Sequence, residues 1–510
     1  MDEAPTLNVA AEILRHGDDA SVALRFRSET ERFDVGYGEL RRRVRQVAAS
    51  LRQAGVQEEQ RVLVVLPDSP EYAYAFLGAI WAGAVPVLVN AFLRPLDYMP
   101  FVRETRARAV ITTDTVAAAL APATDLPAIL TVGPARSGSL WRAIEAEEPS
   151  AAPFPTHPDD PAFWLYSSGT TGRPKGVVHR QRSILHSVAS YGRHVLDLRP
   201  DDVAYATSKL FFAYGLGALY FPLSAGASVV LSPDPFSPAR TWNLLAEERP
   251  TLFFAVPSAY RALLDHAPAE AAQGLSQLRR LLSAGEALPA TIFREWRDRF
   301  GQEIIDGLGS TEALHIFLSN RPRDCVPGTL GHPVPGYAVE VIDEDGAPVP
   351  RGEIGALRVR GDSLAAGYWQ RAEATRRAFR GDWFVTGDQA VEGTDGRFRV
   401  VGRTDDMLKV SGQWVSPLDV ENVVAGVDGV RECAVVGAAD QSDLVELVAC
   451  VVCAPDDAER LREQIARACA DALPRFKRPK RIVVLDALPR TATGKVQRFL
   501  LRDAVRGSMP

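Results

Sequence analysis

Cysteine is scarce in this chain: there are five among 510 residues, an odd, scattered set that makes no disulfide framework. The one close pair, Cys450 and Cys453, sits in Leu447-Val448-Ala449-Cys450-Val451-Val452-Cys453, a run that predicts a buried strand. Residues three apart on a strand face opposite ways, which disfavours joint metal or redox use. Excess positive charge is missing too, since the formal net charge is −6 with both signs interspersed. No broad surface for nucleic acid is expected, and polyanion binding should be local. Residues 210 to 233 carry no charge, but Gly215, Gly217, Pro222 and Gly226 interrupt the run. It predicts a buried helix entering a strand at Ala227-Ser228-Val229-Val230-Leu231, not a membrane span. The opening Met1-Asp2-Glu3-Ala4-Pro5 has neither basic charge nor an apolar stretch, which points to the cytoplasm rather than secretion.

A chain of this length exceeds one compact core, so two or more domains are expected. Tyr37-Gly38-Glu39-Leu40 leads into an amphipathic helix. Arg61-Val62-Leu63-Val64-Val65-Leu66 reads as a buried strand, Ser69-Pro70-Glu71 as a capped helix start, and Ala84-Val85-Pro86-Val87-Leu88-Val89 as a second strand. That is a β-α-β unit. Alternation continues at Ala109-Val110-Ile111-Thr112, Ile129-Leu130-Thr131-Val132, Leu252-Phe253-Phe254-Ala255-Val256 and Arg280-Leu281-Leu282-Ser283, so a doubly wound α/β body is predicted. Residues 328 to 402 turn to short strands and tight turns, a β-rich subdomain. The remainder reads as a small α+β unit, with strands near 433 to 437 and 446 to 452 and a helix near 456 to 472. The boundary is placed at Asp405, giving domains 1–404 and 405–510.

The chemistry concentrates at Ser167-Ser168-Gly169-Thr170-Thr171-Gly172-Arg173-Pro174-Lys175-Gly176, after the apolar run Ala162-Phe163-Trp164-Leu165-Tyr166. Its three glycines, four hydroxyls and two cations suit a polyphosphate: glycine lets backbone N–H groups converge, hydroxyls add donors, and cations add charge. A P-loop NTPase is disfavoured, because Lys175 precedes a glycine and lacks the following Ser or Thr. The stretch instead resembles the phosphate loop of the adenylate-forming superfamily of acyl-CoA ligases, adenylation domains and luciferases, [ST]-[ST]-G-[ST]-T-G-x-P-K-G, at every position.

Partner motifs follow in that superfamily's order over nearly the whole chain. Ser283-Ala284-Gly285-Glu286-Ala287-Leu288 resembles the segment lying against adenine. Asp306-Gly307-Leu308-Gly309-Ser310-Thr311-Glu312 resembles Y-G-x-T-E, with Leu308 in place of the aromatic. The resemblance implies that Thr311 meets a phosphate and Glu312 holds Mg2+, a hard cation suited to oxygen ligands. Thr386-Gly387-Asp388 resembles the ribose-binding T-G-D, though alone it would read as a turn. Gly402-Arg403-Thr404-Asp405-Asp406 resembles the hinge motif, with Arg403 toward ribose or phosphate and Asp405 as pivot. Pro489-Arg490-Thr491-Ala492-Thr493-Gly494-Lys495 resembles the C-terminal motif that carries the catalytic lysine.

The implied reaction has two steps: a carboxylate attacks ATP to give an acyl-adenylate, helped by Lys495, and after rotation of a small mobile domain a thiol takes the acyl group. Lys409 and Gly412 would line the second arrangement, although Lys409 also fits a strand-edge lysine. Acyl-pocket positions are Phe212, Ala213, Tyr214, Gly309, His315 and Ile316, and both segments resemble the benzoate-CoA ligase branch. An aromatic, glycine-rich wall suits a small aryl acid; His315 either reads a ring substituent or is a core histidine. ATP, Mg2+ and coenzyme A are the implied cofactors, with the phosphopantetheine of an acyl carrier protein as alternative acceptor. The basic run Arg475, Lys477, Arg478, Lys480, Arg481 suits coenzyme A, an acidic carrier, or plain solvent. A non-catalytic nucleotide-binding protein is the competing class, and a monomer or homodimer is the expected assembly.

Overall fold

Strands whose neighbouring residues are all apolar need cover on both faces, and the chain supplies it by sandwiching helices between two large sheets. The computed structural model describes residues 6–122, 126–133, 136–149, 152–168, 174–404, 406, 408–410, 413–439, 445–453, 458–490 and 496–506. The first sheet has nine strands in the order His332–Pro333, Ile316–Ser319, Ile304–Gly309, Arg280–Ser283, Leu252–Ala255, Val203–Ala206, Ser228–Leu231, Val22–Arg27, Arg32–Gly36. It is parallel from Ile304–Gly309 through Val22–Arg27 and antiparallel at both edges. The second has seven, in the order Gly367–Tyr368, Pro174–Arg180, Pro161–Ser168, Val85–Leu88, Arg61–Val65, Ala109–Thr113, Ala128–Val132, and is parallel over the last five.

Helices Tyr37–Gln53, Pro70–Trp81 and Ala213–Leu223 share one core with the inner faces of both sheets. Alternation decides which residue goes where: Val64 and Phe254 enter this central core, whereas Leu63 and Phe253 enter separate outer cores. The helix Pro70–Trp81 starts where expected, with the Ser69 hydroxyl accepting from the Tyr72 N–H at 3.4 Å and proline at its first position.

The uncharged run forms the helix Ala213–Leu223 and the strand Ser228–Leu231, and among the described residues no helix is long and apolar enough to cross a membrane. Two expected breakers serve another purpose. A Cβ on Gly215 would stand 2.1 Å from the Lys209 carbonyl oxygen, and one on Gly217 2.5 Å from the His315 ring. Both glycines lie inside the helix and permit close approach.

The β-rich segment builds an antiparallel sheet of Ala338–Ile342, Ile354–Arg360 and Trp383–Glu392, to which Phe379–Arg380 and Phe398–Arg403 also pair. Two short pieces depart from that unit: His332–Pro333 edges the first sheet, and Gly367–Tyr368 the second. Local patterning marks a strand but not its distant partner. In the C-terminal part, Glu432–Ala439, Val445–Val452 and Arg481–Leu485 form a three-stranded sheet with a core on each face. Cys450 and Cys453 enter opposite cores, as strand alternation requires.

Candidate active site

The strands Pro161–Ser168 and Pro174–Arg180 form a hairpin in which Ser167 pairs with Lys175 and Ser168 with Pro174. Gly169, Thr170, Thr171 and Gly172 lie outside the described residues. The Lys175 ammonium stands 4.9 Å from the centre of the Tyr368 ring, and the Tyr368 hydroxyl donates to Glu312 Oε1 at 2.9 Å. The short strand Gly367–Tyr368 therefore joins the hairpin's cation to the carboxylate after Thr311. Burial and the Glu312 charge push the Tyr368 phenol far up, so it remains a donor.

Thr311 is tied to the same hairpin from inside. His179, fully buried and stacked on Phe163 at 5.0 Å, meets the Thr311 carbonyl through Nε2 at 2.9 Å. Burial lowers this imidazole to about 4, so it is neutral and Nε2 carries the donated proton. Leu314, three residues on, has φ +69°, an uncommon left-handed conformation for a branched side chain. Strain of this sort collects where a backbone must be held for function.

On the antiparallel sheet, Asp388 faces Arg403 across paired strands, and Arg403 Nη1 donates to Asp388 Oδ1 at 2.9 Å and to the Thr386 carbonyl at 3.0 Å. Gly387, at φ +78°, is needed here, because a Cβ would lie 2.9 Å from the Arg403 guanidinium. Glu286 accepts from the Ser258 N–H and hydroxyl, each at 3.2 Å, and stands 3.7 Å from Arg490 Nη1. Burial raises its carboxyl while Arg490 opposes the shift. Gly285 has φ +91°, and Ala287 is exposed. Arg490 also donates to Glu432 Oε2 at 2.7 Å.

Asp306 and Leu308 separate. Leu308 is half-buried, but Asp306 is only 7% exposed and its Oδ1 has no hydrogen-bond partner among the described residues. Burial raises this carboxyl to about 7. Folded Asp306 thus holds its proton more tightly than unfolded Asp306, so stability is lost as pH rises from the ordinary value of 3.8 toward 7. Each tenfold difference in proton affinity between the two states corresponds to about 1.4 kcal/mol. Asp306→Asn is expected to raise Tm at pH 8 and to change it little at pH 4, which thermal melts at the two pH values would check.

Phe212 caps the helix Ala213–Leu223, and Ala213, Tyr214 and Phe212 are half-buried at its start. His315 is 3% exposed inside an aromatic cage, with ring centres 5.0 Å from Tyr191, 5.6 Å from Tyr214 and 4.8 Å from Phe221. Burial lowers it to about 3, with the Tyr214 backbone opposing the shift, and neither ring nitrogen makes a well-formed hydrogen bond among the described residues. A neutral imidazole this deeply buried needs polar partners, and the Tyr214 backbone is the nearest one. Gly309 lets the His315 carbonyl pass, since a Cβ there would lie 2.5 Å from that oxygen, and Ile316 is a buried strand residue. Gly217→Ala would push a methyl into the caged His315 ring; we expect a loss of roughly 1–3 kcal/mol, partly offset by better helix propensity, together with reduced activity. Urea denaturation and steady-state kinetics would check it.

Lys409 contributes backbone to the strand Leu408–Val410, and its side chain lies outside the described residues, as do Asp405, Gly412 and Lys495. Several groups at the site were not singled out from sequence. Besides Tyr368, His179 and Tyr191, Asp68 Oδ1 accepts from the Leu210 N–H at 3.0 Å, and burial raises it to about 6. Lys209 Nζ donates to the Ser232 and Asp234 carbonyls at 2.7 and 2.5 Å. Together they pin the segment leading to Phe212. A charged residue bordering a long uncharged run was the available signal.

The hairpin at Lys175, the Glu312 carboxylate and the Asp388–Arg403 pair are the groups the sequence motifs singled out, and comparison with known proteins shows the family. The chain belongs to the AMP-binding enzyme family, whose sequence profile matches residues 12–369, with the AMP-binding enzyme C-terminal domain matching 419–495. Among curated relatives, a benzoate–CoA ligase of Thauera aromatica is 41% identical over 92% of this chain and 90% of its own length. Among solved structures, a benzoate CoA ligase from Burkholderia xenovorans LB400 superposes with a TM-score of 0.89 at 40% identity, covering 97% of this chain and 99% of that one. The anthranilate CoA ligase AuaEII in complex with anthranoyl-AMP gives 0.92 at 35% identity, over 100% and 99%.

Proposed function

We propose that this AMP-forming acid–thiol ligase activates a benzoate-type aryl acid with ATP and passes the acyl group to coenzyme A. The choice of acid is supported by the aromatic surface of Tyr191, Tyr214 and Phe221 around the neutral His315, the kind of wall that suits a small flat ring, and by the likeness to benzoate and anthranilate CoA ligases.

In the first half-reaction the acid's carboxylate attacks the α-phosphate of ATP in line and pyrophosphate leaves. Charge crowding between anions is the barrier, and Lys175, the loop hydroxyls and Lys495 supply the opposing charge and donors. Thr311, held by His179, presents its hydroxyl to the phosphate; Asp388 takes the ribose hydroxyls, with Arg403 beside it. Glu312 suits Mg2+: Tyr368 occupies one oxygen and leaves the other, and this ion is ordinarily bound by one or two carboxylates together with substrate phosphates. When bound, the ion would neutralise phosphate charge. Gly285, Glu286, Ala287, Gly307 and Leu308 flank the adenine, Leu308 by aliphatic contact.

In the second half-reaction the part after Asp405 rotates, Lys495 withdraws, and Lys409 and Gly412 approach as the thiol attacks the adenylate carbonyl. The boundary at Asp405, a cytoplasmic location, and Mg2+ as the ion belong to the same reading. Incubating the enzyme with benzoate, MgATP and coenzyme A should yield the aryl-CoA thioester and AMP in equal amounts, measured by mass spectrometry and nucleotide chromatography. Thioester formed only on a pantetheinylated carrier protein would replace coenzyme A as acceptor.

A further inference from the structure

We propose that Asp68 and Lys209 act together as positioning residues for the acid pocket, fixing the segment that leads to Phe212, Ala213 and Tyr214 and thereby setting which ring is accepted; this rests on the aryl-acid reading above. Asp68 follows the strand Arg61–Val65 of the seven-stranded sheet, and Lys209 follows Val203–Ala206 of the nine-stranded one. Asp68 is 5% exposed, and its Oδ1 accepts the Leu210 N–H at 3.0 Å, a bond that joins the two sheets. Lys209 Nζ donates to the carbonyls of Ser232 and Asp234, just after the strand Ser228–Leu231. Three strand ends, drawn from both sheets, are thus tied at one point.

The tie reaches the pocket through the Lys209 backbone. The Lys209 carbonyl accepts the Phe212 N–H at 3.0 Å, closing the turn before the helix Ala213–Leu223. The same oxygen lies so close to Gly215 that a Cβ there would stand 2.1 Å away. A shift of this carbonyl therefore carries the first turn of the helix with it. That turn supplies Ala213 and Tyr214, and the Tyr214 ring stands 5.6 Å from His315 and 5.8 Å from Phe254.

Charge makes the tie selective. Burial raises Asp68 to about 6 and lowers Lys209, and the charge of each opposes the other's shift, so the two act on one another through the interior. Taking charged groups out of water is costly, and an apolar pair would fill the same space at less cost. An apolar pair, however, holds neither an N–H nor a carbonyl at a fixed place. Lys209 borders the uncharged run from 210 to 233, so no side chain of that run can take over its charge. Neither Asp68 nor Lys209 hydrogen-bonds to Lys175, Glu312 or Asp388, so the tie acts on the acid's side of the site and not on the groups assigned to ATP.

The test compares the wild type with Lys209→Met, which loses the ammonium, and Asp68→Asn, which keeps an oxygen for the Leu210 N–H and loses the charge. In benzoate-dependent ATP–pyrophosphate exchange, Lys209→Met should raise KM for benzoate at least tenfold while KM for ATP stays within twofold. The preference for benzoate over cinnamate should fall at least fivefold. Asp68→Asn should show the same pattern at about threefold, and the double variant should be no worse than Lys209→Met alone, because the two residues form one tie. An unchanged KM for benzoate, or equal rises for benzoate and ATP, would overturn the assignment. Asp68→Asn is close to isosteric and decides the matter if Lys209→Met does not fold. Hydrogen–deuterium exchange over residues 207 to 216 needs no substrate, and it should speed up in both variants while the strand Glu432–Ala439 keeps its wild-type rate. If the wild type exchanges pyrophosphate with no benzoate, the aryl-acid reading fails and this measurement still tests the tie; wild-type exchange over 207 to 216 in both variants would overturn it.

Discussion

Lys495→Ala is expected to lower carboxylate-dependent ATP–pyrophosphate exchange by roughly 10²–10³-fold, the cost typical of removing one donor aimed at developing transition-state charge. Transfer from supplied aryl-adenylate to coenzyme A should persist within a few fold. The split follows from the two-arrangement account: Lys495 bridges the reacting anions only in the first, and Lys409 and Gly412 replace it in the second. Pre-formed benzoyl-adenylate mixed with coenzyme A and the variant isolates the second half-reaction, and thioester is read directly. Equal loss in both halves would remove domain alternation from the mechanism and leave Lys495 a general structural or binding role.

Glu312→Gln should be nearly as severe, and for a different reason. The substitution keeps a carbonyl oxygen for the Tyr368 hydroxyl, now at 2.9 Å from Glu312 Oε1, and keeps the backbone bond from the Ala365 N–H to the Glu312 carbonyl. What disappears is the negative charge. If Glu312 holds Mg2+ against the phosphates, turnover should drop by about 10²-fold or more. Raising Mg2+ should recover part of it, while Tm stays near that of the wild type. Turnover within a few fold of wild type would mean that Glu312 is not an ion ligand and serves Tyr368 instead.

Much of the α/β body was legible because its strands announce themselves by uninterrupted apolar runs and its helices by capping residues. Ser69 and Pro70 start a helix for local reasons that tertiary structure has no cause to override. Even the disfavoured Cys450 and Cys453 pairing followed from strand geometry alone. Partnership was less legible. Gly367–Tyr368 has too few residues to reveal which sheet it joins, yet it places Tyr368 between Lys175 and Glu312.

The site shows the same division. Motif residues could be located because their order along the chain is specific, whereas the residues that hold them come from afar. His179 lies 132 positions from Thr311, and Asp68 lies 142 from Leu210. Gly215 and Gly217 illustrate a related ambiguity: a glycine in a helical run signals either a break or a close approach, and only the position of Lys209 and His315 decides between them.

The central claim, adenylation of a small aryl acid, is tested most directly by ATP–pyrophosphate exchange without coenzyme A. The acids would be benzoate, 2-aminobenzoate, 2- and 4-hydroxybenzoate, cinnamate and a medium-chain fatty acid. The account predicts exchange confined to the benzoates, with the preferred substituent reporting what the neutral His315 imidazole meets. Exchange with cinnamate or the fatty acid in preference would contradict the short aromatic pocket, and exchange with none of the acids would contradict adenylation itself.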